Sequence, residues 1–416
     1  MTGALTNARG PLGNRNYRLL LSGFALSQLV MPLQFLTQVL WVQEHAPQGI
    51  WLILVALIGA CRGIGSLTFG LYGGALADRY DRRKLLMAIH AVLALVTIAI
   101  ATLMHMQSDS VLAFTLFFLL TLLTAGLLAI DIPTRLAIVP DVLGPEHTPA
   151  GMSINQVVGQ LAMPLAMFST GFIIYAFDFA GAYLLSVVGH LLMILFLGLM
   201  HYTPPARTRD TGHYGWRETL ADVRVGLSYA RNQPVVLWVI ILVITMMGMG
   251  FPATANLGPT WITTVVEVPI RDMGYVVMTW GVGSLIAALA LTRYASVEGR
   301  GRLIGWGALL FAVSFVVFVS HDSKVNAIIG NLGLGAGMTM TMVSSTVLIQ
   351  HLVAEEVRGR IMSIFQLNMG FAQLMTLPVA LFAQWLTLPV AFPLLAVATT
   401  ALVLFILFTQ RQIMRA

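Results

Sequence analysis

The 416-residue chain is 58% hydrophobic and only 10% charged, with a mean hydropathy of +0.85. A water-soluble domain carries about 25% charged residues, so the composition excludes an ordinary soluble globule and makes lipid the main solvent. A pI near 9.7 would suit a nucleic-acid binder, but the placement of the basic residues gives it another meaning.

Spanning a bilayer takes about 20 apolar residues in a helix. Such runs are predicted near 19–43, 50–76, 85–104, 111–131, 154–176, 182–201, 235–256, 273–292, 303–320, 325–349, 361–384 and 389–409. Their length and low charge favour helices over barrel strands. The N-terminal Arg9, Arg15 and Arg18 lead directly into the first run with no small-residue cleavage site, so a removed signal peptide is not expected. The single cysteine, Cys61, lies within the second run and has no internal partner for a disulfide.

If the twelve spans alternate across the membrane, twenty of the 23 Lys and Arg fall on one side. The opposite side holds Arg271 and Lys324, and Arg62 lies inside a span. Basic loops stay in the cytoplasm, so both termini are expected there. The basic pI then reports topology, and nucleic acid is not an expected partner. Arg in large excess over Lys, with no long loops or appended domains, suggests a multi-pass protein of a bacterial inner membrane.

Several residues stand out along the spans. Gln34 and Gln38 in "MPLQFLTQ" (31–38) share one helix face. Arg62 falls close to mid-membrane, where an arginine costs about 2.5–3.5 kcal/mol on insertion scales. It must face protein or a water-filled cavity, meeting either neutral hydrogen-bonding groups or a substrate. Between the second and third spans, "YGGALADRYDRRKLL" (72–86) concentrates six charges. Asp131 and Arg135, around Pro133 at the expected inner end of the fourth span, have the spacing of an i, i+4 ion pair. They read as a structural pair or as a gate or proton site. His190, mid-span in the sixth helix, titrates near neutrality when unperturbed and reads as a proton site or a simply bonded histidine; His90 is a weaker case.

The polar stretch 202–233 divides two sets of six spans, and its part from Trp216 to Arg231 reads as an amphipathic surface helix or a plain linker. The expected division is therefore 1–201, 202–233 and 234–416. "GPEHTPAGMSINQ" (144–156) aligns with "AEEVRGRIMSIFQ" (354–366), and "ALADRY" (75–80) with "LALTRY" (289–294). Parallel six-helix repeats build a transporter with its site between the halves. "GNLGLGAG" (330–337) has no preceding strand and sits within a span, so Gly333 and Gly337 read as helix-packing positions rather than a phosphate loop. Neither lysine forms a Walker A motif, and no HExxH, paired-cysteine or GxSxG pattern occurs. No catalytic residue, cofactor or metal is expected.

The segment from Gly74 through Asp78, Arg79, Arg82, Arg83 and Lys84 resembles the loop 2–3 signature of the major facilitator superfamily. "DIPTRLAIVPDVLGPE" and "VAEEVRGRIMSI" are most similar to its enterobactin-exporter and multidrug-exporter branch. The resemblance implies an all-α membrane protein of twelve helices in two pseudo-symmetric six-helix bundles. It implies that Gly74, Asp78, Arg79, Arg82 and Arg83 form a conformational latch, with Asp78 set against the N-terminus of the eleventh helix. It also implies a central cavity lined by the first, fourth, seventh and tenth helices. Gln34, Gln38, Arg62, Met246, Met249, Thr339, Thr341 and Ser344 are the cavity candidates, and lipid-facing methionines are the alternative. Two exporter signatures are absent: Leu122 replaces the fourth-helix arginine, and only Gly159 and Pro164 survive of the fifth-helix pattern. The expected function is export of an amphipathic drug-, siderophore- or lipid-like molecule by a monomer in contact with membrane lipid, with protons as the coupling ion. A non-transporting assembly factor or sensor on the same fold is the alternative.

Overall fold

The computed structural model describes residues 10–107, 110–203, 224, 228–293 and 299–415. Ten helical runs among them are long and apolar enough to cross a membrane, and one, Val111–Leu199, is 89 residues long. Its backbone leaves helical geometry at Gly144 and Asp178, which divides it into three helices. Twelve spans result: α1 (Arg15–His45), α2 (Trp51–Arg79), α3 (Arg82–Met106), α4 (111–143), α5 (145–177), α6 (179–199), α7 (Pro234–Asn256), α8 (Ile270–Thr292), α9 (Arg300–Ser320), α10 (Lys324–Leu352), α11 (Glu355–Leu386) and α12 (Leu388–Thr409). The expected surface helix at 216–231 lies mostly outside the described residues; 228–232 are helical.

The fourth span extends well beyond the end its apolar run suggests. Pro133 and Pro140 are both accommodated, and helix continues to residue 143. Asp131 and Arg135 are therefore interior to α4 rather than at its end. The physical reason is packing: Ile138, Val139 and Leu143 are buried with Tyr17, Leu86, Met193 and Leu197 in one apolar cluster, which holds the last turns in place.

The chain forms two compact units, one of Met1–Trp41 with Ile64–His213 and the other of Val42–Gly63 with Tyr214–Ala416. In the first, α1, α3, α4, α5 and α6 surround the cluster around Tyr17, whose hydroxyl donates to Gly151 O at 2.7 Å and lies 3.1 Å from Asn155 Oδ1. In the second, Gln43 and Thr263 exchange hydrogen bonds at 2.9 and 3.2 Å, and Gln384 donates to Gly49 O at 3.0 Å.

Within the second unit α10 lies between α8 and α9 at backbone-contact range. A Cβ on Gly335 would collide with the Trp280 carbonyl, and one on Gly337 would come within 2.6 Å of Gly307 O. Gly333 faces Ser314 with equally little room. The run "GNLGLGAG" is thus a helix-packing stripe, as its position within a span indicates. In α7 the turns Met246–Gly250 and Pro252–Asn256 are π-helical. Pro252 has no N–H to continue an α pattern, and a wider turn accommodates the missing donor.

The internal repeat is visible in the backbone. α5 passes to α6 through Asp178 (φ 60°, ψ 175°), and α11 passes to α12 through Thr387 (φ 73°, ψ 152°). Each stands between the fifth and sixth helices of its set of six. Neither residue is glycine, yet both take a positive φ that L side chains rarely adopt.

Candidate functional site

Buried charge singles out one place in the first unit. Asp131 and Arg135 of α4, His90 of α3 and His190 of α6 are at most 5% exposed. Asp131 and Arg135 form an i, i+4 ion pair. The second carboxylate oxygen of Asp131 lies 3.1 Å from His90 Nε2, and His90 Nδ1 lies 3.1 Å from His190 Nδ1. The Arg135 guanidinium also stands over the Phe24 ring of α1, 5.5 Å from its centroid. Ile89, Leu93 and Ile130 form an apolar cluster on the same stretches of α3 and α4, so the charges sit in a low-dielectric interior where each interaction strengthens. Three helices contribute, and no two of the three share a sequence neighbourhood.

The site joins the Asp131–Arg135 pair to His190, a separate candidate in the sequence, through His90, the weaker case. No spacing rule connects α3 to α6. The signal available was only that both helices place a histidine mid-span.

A polar stripe on α6 continues from this group. Tyr183, Ser186 and His190 follow one another at i, i+3 and i+7, one face of a helix. Tyr183 Oη accepts from Gln38 Nε2 at 3.0 Å, and the same amide reaches Thr121 Oγ1 at 3.1 Å. Gln34 Nε2 donates to Thr97 Oγ1 at 3.1 Å. The structure thus places Gln34 and Gln38 in the interior of the first unit, joined to α3, α4 and α6. Thr97, Thr121 and Tyr183 were not legible as their partners.

Among the other cavity candidates, Thr341 and Ser344 are buried, and the Thr341 hydroxyl donates to Gly337 O at 2.8 Å. Met246 is buried, while Met249 and Thr339 are half-buried. Arg62 is half-buried and engaged by neighbouring groups.

Of the loop 2–3 residues, Gly74 and Asp78 lie in helical backbone, and their side chains are outside the described residues. Arg79 is exposed. Arg82 donates to Ala137 O at 2.6 Å and pairs with Asp141 at 3.0 Å, and Asp141 also accepts from Tyr202 at 2.6 Å. Arg83 donates to the Leu197 and Gly198 carbonyls at 2.6 and 2.7 Å, closing the C-terminus of α6 where unpaired carbonyls concentrate negative potential. Asp81 caps α3 through the amides of Arg83 and Lys84. These bonds tie the loop to α4 and α6 of its own unit.

No group of three or more His, Cys, Asp and Glu able to hold a metal occurs among the described residues.

Comparison with known proteins fits this architecture. The family profile described as Major Facilitator Superfamily matches residues 19–377. The staphyloferrin A transporter of Staphylococcus aureus (strain NCTC 8325 / PS 47) is 20% identical over 361 residues, covering 87% of this chain and 88% of that protein. A mutant of the nucleoside transporter NupG superposes with a TM-score of 0.78 at 12% identity, covering 96% of this chain and 100% of that one. A mutant of the peptide transporter POT, in complex with sulfate, gives a TM-score of 0.75 at 14% identity, covering 98% and 96%. At those identities the structural likeness is one of fold. The profile match extends over most of the chain, and with its twelve apolar spans this protein is a membrane-spanning transporter that belongs to the major facilitator superfamily.

Proposed function

We propose that the protein exports amphipathic small molecules by alternating access, driven by inward proton movement, with Asp131 as the coupling carboxylate. The observation that carries the coupling is the buried chain His190–His90–Asp131–Arg135. A structural ion pair needs no linked histidines, whereas a proton site needs a carboxylate whose charge can be cancelled in place. The staphyloferrin A transporter relationship favours siderophore-like molecules within the amphipathic class. The outward direction follows the exporter branch that the loop segments resemble. The distribution of basic residues supports a bacterial inner membrane with both termini in the cytoplasm.

The test is transport by the purified protein in liposomes, using a siderophore, a cationic drug and a lysophospholipid, with and without an imposed proton gradient. Gradient-dependent movement of one class, lost in Asp131→Asn, is the expected result. Movement that ignores the gradient would overturn the coupling, and indifference to all three classes would overturn the substrate reading.

A further inference from the structure

We infer that His190 and His90 form a proton wire delivering a proton to Asp131, with Nε2 of His190 as its port. This rests on the reading of Asp131 as the coupling carboxylate.

Counting hydrogens assigns every ring nitrogen. Asp131, paired with Arg135, is a carboxylate and only accepts. The His90 Nε2 that faces it at 3.1 Å therefore carries hydrogen. A neutral His90 then has a bare Nδ1, so in the 3.1 Å contact between the two rings His190 Nδ1 is the donor. His190 Nε2 is left bare. It is also the one ring nitrogen of the pair that is buried without a hydrogen-bond partner. One ion pair thus leads to a bare, unpartnered nitrogen at the far end of the chain.

A second unpartnered polar atom lies beside it. Ser186, one turn earlier on the same face of α6, is 1% exposed and its Oγ has no hydrogen-bond partner. Two orphan polar atoms in adjacent turns are costly unless something uses them. Tyr183, a further turn back, extends the polar face to Gln38. The stripe sets polar groups turn by turn along α6 up to His190.

The transfer balances without any redox partner. A hydronium bonds one proton to His190 Nε2 and leaves as water. The His190 Nδ1–H bond breaks as that hydrogen bonds to His90 Nδ1. The His90 Nε2–H bond breaks as its hydrogen bonds to Asp131 Oδ1. Both imidazoles end neutral in the opposite tautomer, and both hydrogen bonds persist with donor and acceptor exchanged. Asp131 ends neutral, and Arg135 loses its counter-charge. The charged and titratable groups facing Asp131 are His90 from α3, His190 behind it from α6, and Arg135 from α4 itself. α1 contributes the Phe24 ring and carries no charged residue between Arg18 and Glu44, and α5 carries none between His147 and Asp178.

Infrared difference spectroscopy after a pH jump on the purified protein reads the wire directly. The protonated-carboxyl band of Asp131 is identified by its loss in Asp131→Asn. His190→Phe removes the port, and His90→Gln keeps hydrogen bonds on both sides but cannot pass a proton. Both are expected to slow the appearance of the band by about a hundredfold, the scale of a positioned proton-transfer group. Wild-type rates in either variant would overturn the wire, as would a wild-type protein with no Asp131 band. If wild-type transport ignores the gradient while the band still depends on both histidines, the coupling reading fails and the wire stands.

Discussion

Asp131 and Arg135 stand one turn apart inside α4 as an ion pair with both side chains buried. A guanidinium is effectively always charged, so the pair has one variable member. Protonating Asp131 leaves a buried cation with no counter-charge, a state several kcal/mol above the paired one. Under the proposed coupling, that cost is what gives a proton leverage over the first unit.

Arg135→Leu removes the partner and leaves a buried carboxylate. The expected loss of stability is about 3–5 kcal/mol, read as a lower unfolding temperature in detergent. Adding Asp131→Asn to Arg135→Leu is expected to recover most of that loss, because no charge remains to be compensated. If the double variant is as unstable as the single one, the pair contributes packing rather than charge compensation.

Gln38→Leu is expected to act on stability before it acts on substrate choice. The amide that bonds Tyr183 and Thr121 disappears, leaving buried hydroxyl groups with fewer partners at about 1–3 kcal/mol. Gln34→Leu has the same consequence through Thr97, with one bond lost rather than two. Abundance of folded protein, by fluorescence size-exclusion, checks both. Normal abundance with altered substrate preference would return these residues to the cavity role that the family resemblance implies.

Much of this was legible in the sequence because the constraints were local. Twelve spans follow from apolar length, and the glycine stripe of α10 follows from its place inside a span. The Asp131–Arg135 pair follows from i, i+4 spacing. What was not legible depends on which helix faces which. Asp131 lies 41 positions after His90 and His190 lies 100 positions after it, and nothing in the sequence between predicts that two imidazoles and a carboxylate meet. The apolar run of the fourth span ends near Asp131, while tertiary packing around Tyr17 and Leu143 keeps the helix going to residue 143. The same kind of packing draws Gln34 and Gln38 inward to partners on three other helices.

Asp178→Gly and Thr387→Gly are expected to raise thermal stability modestly. Each residue is exposed and holds a positive φ at a helix junction. The strain at such a position is about 1–3 kcal/mol, and glycine relieves it while giving up about 0.5–1 kcal/mol in chain entropy. A net gain of roughly 1 kcal/mol per site is the expectation, with the two effects additive because the junctions lie in separate units. Unfolding temperatures of the two single variants and the double variant check this. A loss at either site would mean that the Asp178 or Thr387 side chain contributes more than its backbone costs.

The basic residues of the loop between α2 and α3 carry two roles at once. As positive charge they fix which side of the membrane the loop occupies. As hydrogen-bond donors Arg82 and Arg83 join the start of α3 to the ends of α4 and α6. Replacement by lysine keeps the first role and weakens the second, since an ammonium cannot reproduce a fork of directed donors. Arg83→Lys is therefore expected to insert with normal topology yet lose about 0.3–1 kcal/mol, the range for a cation at a helix C-terminus. Arg82→Lys is expected to keep part of its attraction to Asp141 while losing the Ala137 bond. A double-mutant cycle between Arg82→Leu and Tyr202→Phe separates the shared acceptor from the individual bonds. Both side chains bond the same Asp141 oxygen, so a coupling energy of about 0.5 kcal/mol or more is expected. Strict additivity in that cycle, with topology intact in both lysine variants, would leave the arginines as charge anchors alone.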